Sequence, residues 1–144
     1  MAVKRIAPEE ARDLMDKEGY AYLDVRTVEE FAAGHPTGAY NVPLLHMGAG
    51  GMTPNPEFVA VVEKAFPRDA RLVVGCKAGG RSAKAAAALE QAGYTNVVDQ
   101  RNGFEGTPLP TGGIEPGWPP RGLPTSTKAA ADHTYDGLLK ARGR

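Results

Sequence analysis

Apolar positions along this chain switch between two periods. Short apolar runs alternate with segments in which apolar residues recur every third or fourth position, the signatures of strands and of amphipathic helices. Residues 21–25, 39–42, 71–75 and 96–98 form the strand-like runs. Helical spacing is found over residues 8–17, 28–33, 57–66 and 82–91. Ala11, Leu14 and Met15 share one face of the first of these. Phe58, Val61, Val62, Ala65 and Phe66 share one face of the third. Pro8 followed by Glu9 and Glu10 fits a helix start, where a missing N–H costs nothing and negative charge meets the positive end of the dipole. Gly19, Gly34 and Gly93 mark helix ends, and Pro43 closes the second strand. Strands alternating with helices predict an α/β fold with a central, mainly parallel sheet covered on both faces.

Two stretches break the pattern. Residues 48–56 are rich in glycine and proline and read as a loop. Residues 103–124 hold many of the chain's glycines and prolines without periodicity, and are expected to be irregular but packed, anchored by Phe104 and Trp118. The division expected is one domain over residues 1–125 and a polar C-terminal tail over residues 126–144, helical or frayed. No internal repeat is visible.

Composition narrows the function classes. A chain of 144 residues is long enough to bury a core as one domain. Lys+Arg and Asp+Glu both number 17, so the net charge is zero and a general nucleic-acid binder is not expected. A local basic pocket is still allowed. No apolar run is long enough to span a bilayer, so no membrane partner is expected. The N-terminus is positively charged but has no apolar stretch behind it, and a cytoplasmic location is expected. The single cysteine rules out an intramolecular disulfide. One cysteine and three scattered histidines do not make a zinc site, and neither metal nor cofactor is expected.

The one cysteine, Cys76, sits where chemistry is easiest to build. It follows the strand ending at Gly75 and opens the turn Cys76-Lys77-Ala78-Gly79-Gly80-Arg81-Ser82, which leads into a helix. In an open α/β sheet, ligands bind outside the carboxyl ends of strands. Glycines in such a turn let successive N–H groups converge on an anion, and the helix N-terminus adds positive character. A cysteine there ionises readily, and the thiolate is the reactive form. The competing role is that of an inert small hydrophobe, the ordinary fate of a buried free cysteine. Lys77 and Arg81 can balance an oxyanion or favour the thiolate; Lys77 can equally be a solvated surface charge. Ser82 is expected to be the helix N-cap or a donor to the loop. Two other strand ends carry Asp24 with Arg26 and Asp99 with Arg101.

Four motifs resemble those of rhodanese domains, in the same order. Leu23-Asp24-Val25-Arg26 followed by Glu30-Phe31 resembles their D-V-R…E-F signature. Gly34-His35-Pro36-Thr37-Gly38-Ala39-Tyr40-Asn41-Val42-Pro43 resembles G-H-I-x-G-A-x-N-I-P, with Pro36 replacing the usual aliphatic residue. Cys76 to Ser82 resembles the active-site loop C-x-x-G-x-R-S. Gly117-Trp118 with Gly122-Leu123-Pro124 resembles the closing motif, although Trp118 comes late, so that residues 107–116 look like an insertion.

The resemblance implies a rhodanese-like, five-stranded sheet and sulfurtransferase chemistry. Cys76 would take the outer sulfur of thiosulfate or a persulfide donor, and the resulting persulfide would pass it to cyanide or a thiol. The expected substrate-binding residues are Lys77, Ala78, Gly79, Gly80, Arg81 and Ser82. Asp24 and Arg26 are expected to support the frame, Asp24 accepting loop N–H bonds and Arg26 pairing with a carboxylate such as Glu30. The partners are a small-molecule sulfur donor and an external thiol or cyanide acceptor, with a protein persulfide partner also compatible. With one cysteine in the chain there is no internal resolving thiol, so the acceptor must come from outside. A phosphatase or arsenate reductase on a related fold is the competing enzyme class, but its loop is C-x5-R where this chain has C-x4-R. A persulfide carrier or a rhodanese-like module that only binds partners is the alternative of another class.

Overall fold

The computed structural model of the protein describes residues 3–48, 50–77 and 80–140. Its centre is a five-stranded sheet built from β1 (Lys4–Ile6), β2 (Ala21–Asp24), β4 (Tyr40–Asn41), β7 (Arg71–Gly75) and β8 (Asn96–Gln100). The strand order is β1-β8-β7-β2-β4, and every pairing is parallel. The chain is therefore the α/β protein that its alternating periods predict.

The pleat of the inner strands divides the core in two. Leu23, Leu72 and Val74 face one side, while Tyr22 and Val73 face the other, as period-two side chains must. On the first side lie α3 (Phe58–Ala65), α4 (Gly80–Gln91) and α5 (Tyr135–Lys140), contributing Phe58, Val61, Val62, Ala85, Ala86, Leu89, Tyr135 and Leu138. On the second lie α1 (Pro8–Lys17) and α2 (Val28–Ala33), through Ala11 and Phe31, together with Trp118. The helix α1 has Pro8 in its first turn beside Glu9 and Glu10, as predicted. A capping box starts α2: Thr27 Oγ1 accepts from the Glu30 N–H, and Glu30 Oε1 accepts from the Thr27 N–H.

The structure departs from expectation in the irregular parts. The strand β1 has only one buried residue, Ile6, so its sequence shows no alternation and the strand is not predicted. The stretch read as a glycine-rich loop is an antiparallel hairpin of β5 (Leu45–Gly48) and β6 (Gly51–Pro54). All of β6 is exposed, so no apolar pattern marks it. The segment after Gly103 contains a second hairpin, β9 (Thr107–Pro108) with β10 (Ile114–Glu115), then a single 3-10 turn at Pro119–Arg121. Trp118 is fully buried within it, and its Nε1 donates to the Pro124 carbonyl at 2.8 Å.

Residues 126–140 are packed onto the domain. The strand β11 (Thr125–Ser126) pairs antiparallel with β3 (His35–Pro36). Tyr135, Leu138 and Leu139 lie at helical spacing and dock α5 on the α3 side of the core. Asn55 Nδ2 donates to the Tyr135 hydroxyl at 3.1 Å, and Lys64 Nζ donates to the Leu139 carbonyl at 2.9 Å. The helix α5 is one of the two forms expected for this segment, and its apolar triplet is what packs it.

Candidate functional site

The parallel order brings the carboxyl ends of β2 and β7 side by side at the centre of the sheet. The chain leaves β7 at Gly75, and the Gly75 carbonyl accepts from the Val25 N–H at 2.9 Å. Gly75 has to lack a side chain, because a Cβ there would lie 1.8 Å from the Tyr22 hydroxyl. That hydroxyl donates to Gln100 Oε1, and the Tyr22 ring meets Trp118 edge-on at 5.4 Å. Burial pushes the Tyr22 hydroxyl well above its ordinary pKa and keeps it a donor.

Cys76 follows directly, 2% exposed, at the top of the core cluster on the α4 side. Its carbonyl accepts from the Phe104 N–H at 2.7 Å, and the Lys77 carbonyl accepts from the Glu105 N–H at 2.9 Å. The turn after β8 thus grips the start of the Cys76 loop. Asn102 and Gly103 take φ values of +69° and +58° to make this turn. A Cβ on Gly103 would stand 2.3 Å from the Cys76 carbonyl oxygen, so only glycine allows the approach. Sequence reasoning missed Gly103, Phe104 and Glu105 as neighbours of the site. The Asn-Gly pair is the signal that marks them, since both residue types tolerate positive φ.

The charged residues pair differently from expectation. Arg26 does not reach Glu30. Its Nε and Nη2 fork onto Asp24 at 3.0 and 2.7 Å, its own N–H donates to Asp24 Oδ1, and its Nη2 also donates to the Gly34 carbonyl. Asp24 thus accepts both the guanidinium and the backbone N–H of Arg26. Both side chains are buried, and the guanidinium lies 4.4 Å over the Phe104 ring. Asn41 Nδ2 ties the carbonyls of Asp24 and Arg26 together at 3.0 Å each. This cluster is a brace beneath the turn.

Glu30 is taken instead by Arg81, in the first turn of α4. Arg81 Nη1 and Nη2 donate to Glu30 Oε1 and Oε2 at 2.7 and 3.1 Å. Burial works against the Glu30 charge, but the Arg81 guanidinium and the Thr27 donors outweigh it and hold the carboxyl at about 2. Lys77 is exposed and lies 3.8 Å from the Glu105 carboxylate. Gly80 is the first residue of α4, so Ser82 lies inside the helix rather than at its cap. Ser82 is fully buried and stands near Asp99, whose charged form it favours. Burial raises the Asp99 carboxyl, which Ser82 and Arg5 at 2.8 Å counteract; Arg101 is not its partner. Ala78 and Gly79, expected in the loop, lie outside the described residues.

A cleft of about 160 Å³ adjoins the Cys76 loop, lined by Arg26, Glu30, Ala33, Gly34, Phe104 and Glu105. A larger depression of about 490 Å³, lined by residues such as Tyr20, Arg71 and Asn96, lies at the amino ends of the strands, away from Cys76. The arrangement places a thiol at a sheet's carboxyl edge, in front of a helix N-terminus, on a backbone clamped from both neighbouring turns.

The fold is that of a known class. The family model of the Rhodanese-like domain matches residues 7–107. "Thiosulfate sulfurtransferase 16, chloroplastic" of Arabidopsis thaliana is 44% identical over 115 residues, covering 80% of this chain and 86% of that protein. "Senescence-associated protein DIN1" of Raphanus sativus is 42% identical over 94 residues, covering 65% of this chain and 51% of that protein. Among solved structures, Rv0390 from M. tuberculosis superposes with a TM-score of 0.74 at 28% identity, over 89% of this chain and 100% of that one. The human single-domain sulfurtransferase TSTD1 shares the fold with a TM-score of 0.58 at 23% identity, over 72% of this chain and 93% of that one. The chain belongs to the rhodanese-like family of sulfurtransferases, which move sulfur from a donor to an acceptor.

Proposed function

We propose that the protein is a thiosulfate-type sulfurtransferase working through a Cys76 persulfide. The observation that carries the reading is the placement of Cys76: at the carboxyl end of the central strand, immediately before α4, with its carbonyl clamped by the Phe104 N–H. A buried cysteine without such a setting is normally inert. Here the thiolate attacks the outer sulfur of thiosulfate, the S–S bond breaks, and sulfite leaves with the electron pair. The outer sulfur of the persulfide is then attacked by cyanide or a thiolate, and the pair returns to the Cys76 sulfur. This is a double displacement in which the half-reactions occur on one nucleophile.

In this reading Cys76 is the catalytic residue. Lys77, Gly80 and Arg81 flank the substrate; Ala78 and Gly79 enter only through the motif. Ser82, buried in the first turn of α4, positions that helix. Asp24 and Arg26 brace the turn and touch no substrate. The external acceptor follows from the single cysteine. The test is steady-state turnover of thiosulfate and cyanide to thiocyanate and sulfite, beside hydrolysis of an aryl phosphate. Turnover on thiosulfate that disappears in Cys76→Ser supports the reading. Hydrolysis of the aryl phosphate with no thiocyanate formed overturns it in favour of a phosphatase.

A further inference from the structure

Three cations beside Cys76 and the adjoining cleft are paired with carboxylates. Arg26 is forked on Asp24, Arg81 is forked on Glu30, and Lys77 faces Glu105. These are the described cations that flank Cys76 or line the adjoining cleft, and each carries its own carboxylate. The cleft itself presents the carboxylates of Glu30 and Glu105 beside the Phe104 ring. Arg26 is only 2% exposed and gives its charge to Asp24 and the Gly34 carbonyl, so an entering molecule does not meet it as a free cation. Glu105 differs from Glu30. Its side chain is 56% exposed and its nearest cation, Lys77, is a loose, exposed contact at 3.8 Å, which an incoming charge can replace at little cost. Its backbone nevertheless is fixed, because the Glu105 N–H is bonded to the Lys77 carbonyl one residue from Cys76. A carboxylate thereby projects into the cleft from a turn hydrogen-bonded to the Cys76 loop.

We propose that Glu105 is a specificity-determining residue that favours sulfur acceptors carrying a cationic group beside the thiol, such as aminothiols, over acceptors carrying a carboxylate there. The inference rests on the sulfur-transfer reading and names the acceptor class for it. In the step concerned, the acceptor thiolate attacks the outer sulfur of the Cys76 persulfide. The S–S bond breaks, its electron pair returns to the Cys76 sulfur, and the acceptor leaves as its own persulfide. An ammonium group two carbons from the attacking sulfur lies near the Glu105 carboxylate as the bond forms; a carboxylate in the same place is repelled.

The experiment loads the protein with sulfur from thiosulfate, removes the donor, and follows loss of the added sulfur by intact mass with cysteamine or with mercaptoacetate. The ratio of the two rates is compared between the wild type, Glu105→Gln and Glu105→Lys, which cancels the intrinsic reactivity of the thiols. At low salt the cysteamine-to-mercaptoacetate ratio is expected to fall about threefold in Glu105→Gln and about tenfold or more in Glu105→Lys, with both effects shrinking as salt is raised. Both variants change an exposed side chain, so folding is not at issue. Loading of all three proteins with a ratio that changes by less than about twofold in Glu105→Lys overturns the role of Glu105 and leaves sulfur transfer standing. Failure of the wild type to take up sulfur overturns the sulfur-transfer reading, and this inference with it.

Discussion

Arg81 and Glu30 are joined by a two-pronged ion pair, with donor–acceptor distances of 2.7 and 3.1 Å. Glu30 is also the closing half of the capping box of α2. One carboxylate thus ties the start of α4, just after the Cys76 loop, to the start of α2 on the opposite side of the sheet. Arg81→Ala removes the ion pair alone and is expected to cost about 1–2 kcal/mol. Glu30→Ala removes the ion pair and the cap, leaves Arg81 without its partner, and is expected to cost about 2–4 kcal/mol. Thermal unfolding of the two variants checks the order. Equal destabilisation contradicts the double role of Glu30.

The same carboxylate makes stability depend on pH. Its folded pKa is lowered to about 2, below the value of a free glutamate, so its contribution is present above the unfolded pKa and is lost as pH falls through the folded one. The window runs from about pH 5 down to about pH 2, and the contribution is on the order of 2 kcal/mol after allowing for partial exposure. Urea unfolding across this range is expected to be less pH-dependent in Glu30→Gln than in the wild type. Parallel curves for the two proteins contradict the assignment.

Gly103 and Gly112 separate backbone strain from contact with the site. Both have positive φ, at +58° and +97°, but a Cβ on Gly112 meets nothing within 4 Å while one on Gly103 strikes the Cys76 carbonyl. Gly112→Ala is expected to cost about 1 kcal/mol of stability and leave sulfur transfer intact. Gly103→Ala pushes the start of the Cys76 loop and is expected to lower transfer by about 100-fold, the scale of a misplacement near 1 Å. Similar activities of the two variants would show that the clamp on Cys76 is dispensable.

Leu138 tests whether residues 126–140 belong to the domain. It is 5% exposed within the core cluster, so Leu138→Ala is expected to cost about 2–4 kcal/mol. Lys140→Ala, two residues on, removes an exposed helical ion pair with Asp136 and is expected to change stability by less than about 0.5 kcal/mol. Chemical denaturation of both gives the comparison. A negligible effect of Leu138→Ala contradicts the docking of α5.

Much of this layout is readable from residues alone, for physical reasons. The helix α1 and the strand β7 begin and end where Pro8, Lys17, Arg71 and Gly75 predict, because both carry strong periodicity and clear stop signals. The Cys76 turn is legible because glycine, cation and helix signals coincide there. What is not legible is pairing across distance. Arg26 and Glu30 stand at helical spacing and invite each other, yet Glu30 takes a partner 51 positions away and Arg26 a partner two positions away. Ser82 reads as a cap because helix starts favour serine, whereas α4 begins two residues earlier and buries Ser82 inside it. The strands β1 and β3 are too short, and β6 too exposed, to leave a period in the sequence.

The central claim is a sulfur atom carried on Cys76. Intact-mass spectrometry of the native protein, before and after thiosulfate and then after cyanide, tests it most directly. The expected result is a gain of one sulfur on thiosulfate, its loss on cyanide, and neither in Cys76→Ser. A reduced, alkylatable Cys76 that gains no sulfur from thiosulfate would contradict it.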